Sequence, residues 1–254
     1  MTWSPQQYDK FSQPRLRPAW DLIAGIPAID PDIVFDLGCG TGSMSRLLAE
    51  RWPQATVTGI DDSAAMLAKA AAESSNVRWI NQSVADWGVS ESADLIFSNA
   101  ALHWLPDHSA LFKRLAGALK PGGVLAVQMP RNFAADSHTM IAETARTGPW
   151  RAKLASLLGP DPVAAPDFYY TVLSPLGRTV DIWETQYYHV LEGLDPVKEW
   201  TKGTWLRRFL DPLEPHESAD FEQQYADKLR AAYPPSADGK TWFPFKRLFI
   251  VFQK

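Results

Sequence analysis

The chain has 254 residues, of which 46% are hydrophobic and 21% charged, and its formal net charge at neutral pH is −4. This length is sufficient for a single domain with a full core. The acidic balance argues against a nucleic-acid-binding protein, which usually carries a dominant basic face. The single cysteine excludes an internal disulfide, and the five histidines show no recognisable ligand spacing, so we expect no metal.

Residues 1–18 are polar and contain no apolar core of the kind found in a signal sequence. No apolar run along the chain approaches the roughly 20 residues that a membrane-spanning helix needs. These features predict a cytoplasmic protein with no membrane partner. They leave the oligomeric state open, and we favour a monomer.

Short apolar runs alternate with helical patterns over the first 130 residues, which is typical of βαβ units around a parallel sheet. Ser63 is placed to cap the second of the three predicted helices. The strands are predicted at 33–37, 56–60, 77–81, 94–98 and 124–129, and the helices at 43–51, 63–72 and 108–119.

The pattern changes after Pro130. A helix is predicted over 132–147, strands over 179–190 and 246–253, and mostly helical sequence between those two strands, including 196–209 and 217–232. An insertion of that length is too long for a hairpin turn and predicts a helical cap. We therefore expect a Rossmann-like α/β fold: a mostly parallel seven-stranded sheet, helices on both faces, and a helical cap insertion before the last strand.

A buried strand runs directly into a glycine loop and then a helix in the sequence VFDLGCGTG at residues 34–42. Glycines there let the backbone turn sharply and let a ligand approach closely. The spacing is GxGxG, whereas a dinucleotide site is expected to have GxGxxG. Asp36, ahead of the first glycine, is poorly suited to a pyrophosphate but could help to hold an ammonium group.

Four further motifs follow in order: VTGID at 57–61, VADW at 84–87, DLIFSNAALHW at 94–104 and LKPGG at 119–123. With this set the chain resembles the class I S-adenosylmethionine-dependent methyltransferases over residues 33–129. The resemblance implies S-adenosylmethionine as cofactor and S-adenosylhomocysteine as product. It also implies that Asp61 accepts hydrogen bonds from the ribose hydroxyls and that Asp86 binds the adenine amino group. Trp87 could cover the adenine ring, and the cofactor-binding residues expected are Asp36, Gly38, Cys39, Gly40, Gly42, Asp61, Asp62, Met66, Asp86, Trp87, Asn99 and Ala100.

Individual parts of this site also have structural explanations. Asp36 could cap a turn, Asp86 could cap a helix, and Cys39 is better explained as a small side chain between glycines than as a nucleophile. His103 and Trp104 lie after the fourth strand, beside the expected position of the methyl group. His103 could donate a hydrogen bond to the substrate or bond to backbone at a helix start, and we assign both residues positioning roles only.

Nearly the whole chain resembles a family within this class, the methyltransferases of trans-aconitate. The matching features are the N-terminal aromatic and arginine pattern of residues 3–18, the sequence NAALHW at 99–104, QMP at 128–130 and FPFKRLF at 243–249. This resemblance implies methyl esterification of one carboxylate of a small polycarboxylic acid. The carboxylate is ionised at neutral pH and needs no general base.

A polycarboxylate does need cationic donors, and arginine supplies bidentate ones. Arg131 is the first candidate because it directly follows the fifth strand, at the edge where α/β proteins bind ligands. Arg178, Arg207 and Arg208 are further arginines in the later part of the chain. The substrate-binding residues expected are Arg131, Arg15, Arg17, Arg247 and Tyr8.

The domain organisation expected is one methyltransferase domain over 1–254. It comprises an N-terminal lid or docking segment (1–30), a cofactor-binding core (31–130) and two substrate-side cap insertions (148–178 and 191–245). Other acceptors remain open, namely another small acid, a malonyl ester on an acyl carrier, an amine or a phenol. A nicotinamide-dependent oxidoreductase or a non-catalytic nucleotide-binding protein is disfavoured by the GxGxG spacing.

Overall fold

The computed structural model describes residues 12–88 and 92–254. Seven strands form one sheet in the order β3-β2-β1-β4-β5-β7-β6. Strands β1, β2, β3, β4 and β5 pair in parallel, and β7 runs antiparallel to β5. The strands are β1 (Ile33–Leu37), β2 (Thr56–Asp61), β3 (Arg78–Asn81), β4 (Ala93–Asn99), β5 (Leu119–Pro130), β6 (Thr179–Leu191) and β7 (Thr241–Gln253).

Ten α-helices lie within the described residues, and three of them lie in the crossovers between parallel strands. Three short 3₁₀ turns, at Leu102–Trp104, Ala155–Leu157 and Ser174–Leu176, complete the regular structure. The helices are α1 (Ser12–Gly25), α2 (Ser43–Arg51), α3 (Ala64–Ala72), α4 (His108–Gly117), α5 (Asp136–Thr147), α6 (Arg151–Leu154), α7 (Pro166–Leu173), α8 (Pro196–Lys202), α9 (Arg207–Leu210) and α10 (Pro215–Ala232). The predicted fold class, a mostly parallel seven-stranded α/β sheet with helical sequence before the last strand, is confirmed.

The chain divides into two compact units. The sheet unit comprises Leu16–Pro130, Pro162–Thr185 and Arg247–Lys254, and the helical unit contains Arg131–Asp161 and Gln186–Lys246. Of the predicted insertions, 191–245 falls in the helical unit, whereas 148–178 is shared between the two units. The predicted roles of these segments as a lid and as substrate-side caps stay predictions, and residues 1–11 of the lid lie outside the described residues.

The sheet unit is held by continuous apolar strands, as expected of parallel strands covered on both faces. Every residue from Val124 to Met129 of β5 is buried. The helical unit has its own aromatic core, in which Trp150, Trp200 and Tyr225 are buried with Phe221 and Phe243. Trp150 and Trp200 are therefore core residues of this unit.

Several element boundaries differ from the sequence-based expectation: β7 begins at Thr241 where 246 was predicted, and α5 at Asp136 where 132 was predicted. Strand β5 begins at Leu119 because this residue pairs with Ala93, and a register shift absorbs the glycines that looked like a turn. The helix predicted over 196–209 is divided into α8 and α9 by a turn that begins at Gly203. By contrast Ser63 caps α3 as predicted, accepting a hydrogen bond from the amide of Met66.

Asp94 joins the starts of three strands. Its Oδ2 accepts hydrogen bonds from two backbone amides, that of Asp32 just before β1 (3.0 Å) and that of Ile33 at the start of β1 (2.9 Å). It also accepts a hydrogen bond from Nζ of Lys120 in β5 (2.8 Å). Partial burial acts to raise the pKa of Asp94, but the bonds from Lys120 and the two amides outweigh it, so the pKa lies below its usual value.

The substitution Asp94→Asn is expected to lower the melting temperature by a few degrees, the shift that about 1 kcal/mol produces in a domain of this size. Because the folded pKa of Asp94 is depressed, its contribution exists above the unfolded value near 3.9 and disappears as the pH falls below it. The difference between wild type and variant should therefore shrink in acid, measured by calorimetry between pH 3 and 7. Asp30→Asn, at an exposed carboxylate just before β1, is the control, and an equal effect of both changes would contradict the assignment.

Candidate functional site at the carboxyl edge of the sheet

The glycine loop connects β1 to α2 and is fixed by backbone hydrogen bonds to the neighbouring strand. The amides of Gly38 and Cys39 both donate to the carbonyl of Ile60, at 2.8 and 3.0 Å. The three glycines of the loop, Gly38, Gly40 and Gly42, all have positive φ (74°, 56° and 81°). Only glycine adopts this conformation without steric cost, so the GxGxG pattern follows from the shape of the loop.

The three glycines differ in what lies beside them. A Cβ on Gly38 would be 2.2 Å from the Cβ of Ala101, and one on Gly42 would be 2.3 Å from the ring of Trp79. A Cβ on Gly40 would meet nothing within 4 Å. Gly38 and Gly42 are therefore needed for packing, whereas Gly40 borders open space in which a ligand can approach the backbone.

Asp61 ends β2 and bridges the loop to the next helix. Its Oδ2 accepts from the amide of Gly40 at 2.8 Å and its Oδ1 from the amide of Ser63 at 2.9 Å. Burial raises the pKa of this half-buried carboxyl, although both amide bonds act to lower it. Beyond it, Asp62 is exposed and Met66 is buried in α3. The arrangement places a carboxylate beside the open Gly40, as a ribose-binding role requires.

Asp36 lies near the end of β1 and is buried, with 2% of its surface exposed. The hydroxyl of Ser45 in α2 donates to its Oδ2 at 2.6 Å. Burial raises the pKa of Asp36 to about 7 despite this hydrogen bond. At neutral pH this carboxyl is therefore balanced between its neutral and charged forms, and a nearby cation would favour the charged form.

Cys39 lies in the loop near both carboxylates. Burial raises the pKa of its thiol far above the usual range, and the charges of Asp36 and Asp61 act in the same direction. A thiol with a raised pKa is a poor nucleophile. This environment supports the interpretation of Cys39 as a small loop residue.

The segment from Ser83 to Trp87 follows β3 and is held from α4. The guanidinium of Arg114 donates to the carbonyls of Val84 (2.9 Å) and Trp87. Asp86 in this segment is exposed, whereas Trp87 is buried and lies edge-on to Phe35, with ring centroids 5.1 Å apart. The predicted roles of Asp86 and Trp87 against adenine stay predictions, and the observed contact of Trp87 is with the core.

The end of β4 carries the remaining predicted residues of the sheet unit. Asn99 is half-buried, and its Oδ1 is a buried acceptor that has no hydrogen-bond partner among the described residues. Ala100 has a φ of 55°, a left-handed conformation that costs energy in a residue with a Cβ. Its amide donates to the carbonyl of Gln128 in β5 at 2.9 Å. Strain at the end of a central strand is typical of ligand-binding loops.

His103 and Trp104 lie in the 3₁₀ turn that follows, with their ring centroids 4.5 Å apart, and His103 is buried. The turn is anchored by His108, whose Nε2 contacts the carbonyl of Leu102 (3.1 Å) while its Nδ1 contacts the hydroxyl of Tyr169 (2.6 Å). Burial lowers the pKa of His108. This histidine therefore supports the turn and belongs to the core.

The residues at this edge fit an adenosyl amino acid. Gly40 leaves room for the ligand, Asp61 offers carboxylate oxygens beside that room, and the acceptor of Asn99 suits an ammonium group.

Within residues 12–88 and 92–254, no group of three or more histidine, cysteine, aspartate or glutamate side chains could hold a metal ion. In the same ranges no helix has both the length and the apolar character needed to cross a bilayer.

The predicted substrate-binding residues differ in exposure and in the unit to which they belong. Arg17 is exposed on α1, 4.0 Å from Asp21, and the half-buried Arg131 belongs to the helical unit. Tyr8 and the side chain of Arg15 lie outside the described residues. Arg247 differs from these in that it is buried on β7 in the sheet unit, with 5% of its surface exposed.

Sequence reasoning assigned no role to three residues of this edge: Trp79, Arg114 and Gln128. Trp79 fills the space beside both Gly42 and Gly59, Arg114 holds the segment after β3, and Gln128 contacts Arg247. Only Gln128 carried a usable signal, since a buried strand rarely contains a polar residue without a partner or a function.

Comparison with known proteins matches residues 34–123 to a family described as a methyltransferase domain. Two relatives named trans-aconitate 2-methyltransferase cover 98% of this chain and 98% of their own length. The protein from Rhodopseudomonas palustris strain BisB18 is 46% identical over 250 residues, and that from Azoarcus sp. strain BH72 is 44% identical over 250 residues. Among solved structures, the YcgJ protein from Bacillus subtilis matches with a TM-score of 0.59 and 16% identity. The match covers 93% of this chain and 97% of that one, and it supports the fold alone.

Asp61→Asn is expected to weaken binding of S-adenosylhomocysteine about 10- to 100-fold. The change removes the charge that two backbone amides and the ribose hydroxyls would share, and each hydrogen bond to a charged group is worth about 1.5–3 kcal/mol. Titration calorimetry with the purified protein measures the loss. The control is Glu50→Gln, at an exposed carboxylate on α2, and an unchanged affinity in the Asp61 variant would refute the assignment.

Arg114→Met is expected to weaken the binding of S-adenosylhomocysteine about 3- to 10-fold. The segment that carries Asp86 loses two charge-assisted hydrogen bonds and becomes mobile. The long apolar side chain keeps most of the packing of the arginine stem. Lys113→Met, at the exposed neighbouring position of α4, is the matched control. Equal dissociation constants for the two variants would show that Arg114 does not position the segment.

Proposed function

We propose that this chain, which belongs to the trans-aconitate 2-methyltransferase family, transfers the methyl group of S-adenosylmethionine to one carboxylate of a small polycarboxylic acid. The expected acceptor is trans-aconitate, and the products are its monomethyl ester and S-adenosylhomocysteine. The observation that carries this proposal is the 44–46% identity to relatives of that name over practically the full length of both chains.

The cofactor residues proposed are those at or after the carboxyl ends of β1, β2, β3 and β4. When bound, S-adenosylmethionine supplies an electrophilic methyl group on a sulfonium sulfur. Asp61 accepts from the ribose hydroxyls beside Gly40, and Asp86 binds the adenine. Asp36 and Asn99 supply negative charge and an acceptor for the ammonium end, where burial already raises the pKa of Asp36 to about 7.

A carboxylate acceptor suits the chemistry available at this edge. Its pKa lies near 4, so it is ionised at neutral pH and needs no proton removed. Asp36 is occupied by Ser45, and burial keeps the thiol of Cys39 protonated. The task of the chain is then to align the acceptor and exclude water, with His103 and Trp104 as positioning residues beside the methyl group.

The anionic acceptor must be bound by cationic groups, and Arg131, Arg15, Arg17, Arg247 and Tyr8 remain the proposed set. Arg247 is favoured within this set because it is buried in the sheet unit. A cation with little exposure has been removed from water, which makes a charge-assisted bond to a ligand stronger than it would be at the surface.

The predictions of a cytoplasmic location and a monomeric state remain predictions.

The test is an assay with labelled S-adenosylmethionine against di- and tricarboxylic acids, a malonyl thioester, an amine and a phenol, followed by mass spectrometry. We expect the highest kcat/KM with trans-aconitate and a monomethyl ester as product. With both substrates saturating, kcat should be flat from about pH 6 to 8, because the acceptor is already ionised.

Cofactor affinity should behave differently over the same range. Asp36 becomes ionised as the pH rises through about 7, and its charged form favours a cationic ligand. The affinity for the cofactor should therefore rise with pH, and this rise should vanish in Asp36→Asn.

A kcat that climbs with an apparent pKa near 7 would indicate a general base and an amine or phenol acceptor. No transfer to any acid in the panel would overturn the proposed function.

A further inference from the structure

Gln128 is a buried polar residue near the end of β5, and none of its surface is exposed. It is in register with Asn99 on β4 and with Phe249 on β7, so its side chain shares a face of the sheet with theirs. Its backbone carbonyl accepts from the amide of Ala100, the strained residue beside the expected position of the methyl group. Gln128 therefore lies directly beside the loop that follows β4.

The orientation of the Gln128 amide is fixed by Arg247. The Nη1 of Arg247 donates to Oε1 of Gln128 at 3.3 Å, and an arginine has no acceptor to offer in return. The amide nitrogen Nε2 of Gln128 therefore points elsewhere, and it has no hydrogen-bond partner among the described residues. A buried donor in this state is destabilising, which indicates that the site is completed by a ligand with an acceptor.

Arg247 and Gln128 lie on the same face of the sheet. Arg247 is in register with Pro130, two residues beyond Gln128, and side chains two residues apart on a strand point the same way. Phe249, two residues further along β7, stacks on Trp183 with ring centroids 4.9 Å apart and planes within 5°. A guanidinium and an amide donor therefore lie beside an apolar wall, a combination that suits a compact organic anion.

We propose that Gln128 and Arg247 together bind the carboxylate of the acceptor that is not methylated, and so determine the specificity for polycarboxylic acids. This inference rests on the proposed function. A carboxylate held by a guanidinium and an amide has its lone pairs occupied, which makes it a weak nucleophile. The pair therefore holds one carboxylate and leaves a second one to receive the methyl group. Gln128 lies in the QMP motif of the family resemblance, which assigns it no role, and the inference gives it one in specificity.

The test uses Gln128→Glu, which preserves the shape of the side chain but places a negative charge beside Arg247. The introduced carboxylate pairs with Arg247 and repels the acceptor, so the KM for trans-aconitate should rise at least tenfold. The dissociation constant of S-adenosylhomocysteine should stay within about twofold of wild type, because the cofactor contacts other strands. Gln253→Glu, the same change on β7, is the matched control and should leave the KM at its wild-type value.

Two further measurements separate recognition from a purely structural role. Arg247→Gln should raise the KM at least as much as Gln128→Glu, and Arg247→Lys should restore part of the loss because it keeps the charge. The increase should be confined to acceptors with more than one carboxylate, which a general loss of folding would not produce. Unchanged KM values in both Gln128→Glu and Arg247→Gln, with wild type active, would overturn the inference.

Direct binding distinguishes this failure from failure of the proposed function. Titration calorimetry of trans-aconitate into the complex with S-adenosylhomocysteine reports anion binding without turnover. Binding that is lost in Gln128→Glu supports the inference even if wild type does not methylate the acid, in which case only the proposed function fails. If wild type neither methylates nor binds trans-aconitate, both fail.

Discussion

The carboxylate of Asp61 is the interaction on which the ligand-binding edge depends. Its two oxygens accept from the amides of Gly40 and Ser63, so a single side chain at the end of β2 fixes the glycine loop and the start of α3. Both amides would otherwise be unpaired donors at the ends of strands and helices, where the backbone has no regular partner. The same carboxylate bonds to Gly40, beside which there is open space. With the role proposed for Asp61, loop geometry and ligand recognition are therefore coupled through one residue.

The loop can adopt this shape because the structure fills the space next to two of its glycines. Ala101 occupies the position of a Cβ on Gly38, and Trp79 does so for Gly42. Ala101 belongs to the loop after β4, which is itself held by Ala100 bonding to the carbonyl of Gln128. The ends of β1, β4 and β5 thus constrain one another, and the cost of the left-handed Ala100 is met by contacts that fix the residues on either side of it.

The glycine loop and the start of α3, which form part of the proposed cofactor site, were largely accessible from the sequence because they are built from local patterns. The positive φ of Gly38, Gly40 and Gly42 follows from a strand–loop–helix motif, and the Ser63 cap follows from one residue placed before an apolar run. Trp79 and Arg114 were not accessible, since each acts on residues twenty or more positions away in the chain. No local rule states which segment a long side chain will reach.

The acceptor half was harder for a related reason. Several arginines could bind an anion, and the sequence did not show that Arg247 is buried whereas Arg17 is exposed. The distinction comes from the antiparallel register of β7 on β5, which brings Arg247 to the face that carries Gln128. A register of this kind joins residues more than a hundred positions apart, and it depends on how the last strand enters the sheet.

The sheet also keeps the two kinds of charge apart. Asp36 lies on β1 and Arg247 on β7, with β4 and β5 between them in the strand order. Three strand spacings separate the two positions by at least roughly 14 Å. At that distance their attraction is about 1 kcal/mol with the effective dielectric of a protein, too weak for the guanidinium to hold the carboxyl of Asp36 in its charged form. The pKa of Asp36 accordingly remains raised to about 7. The proposed acidic end for a cationic cofactor and the proposed basic end for an anionic acceptor can therefore coexist at one edge. The strands β1, β4, β5 and β7 hold Asp36 and Arg247 too far apart to neutralise each other.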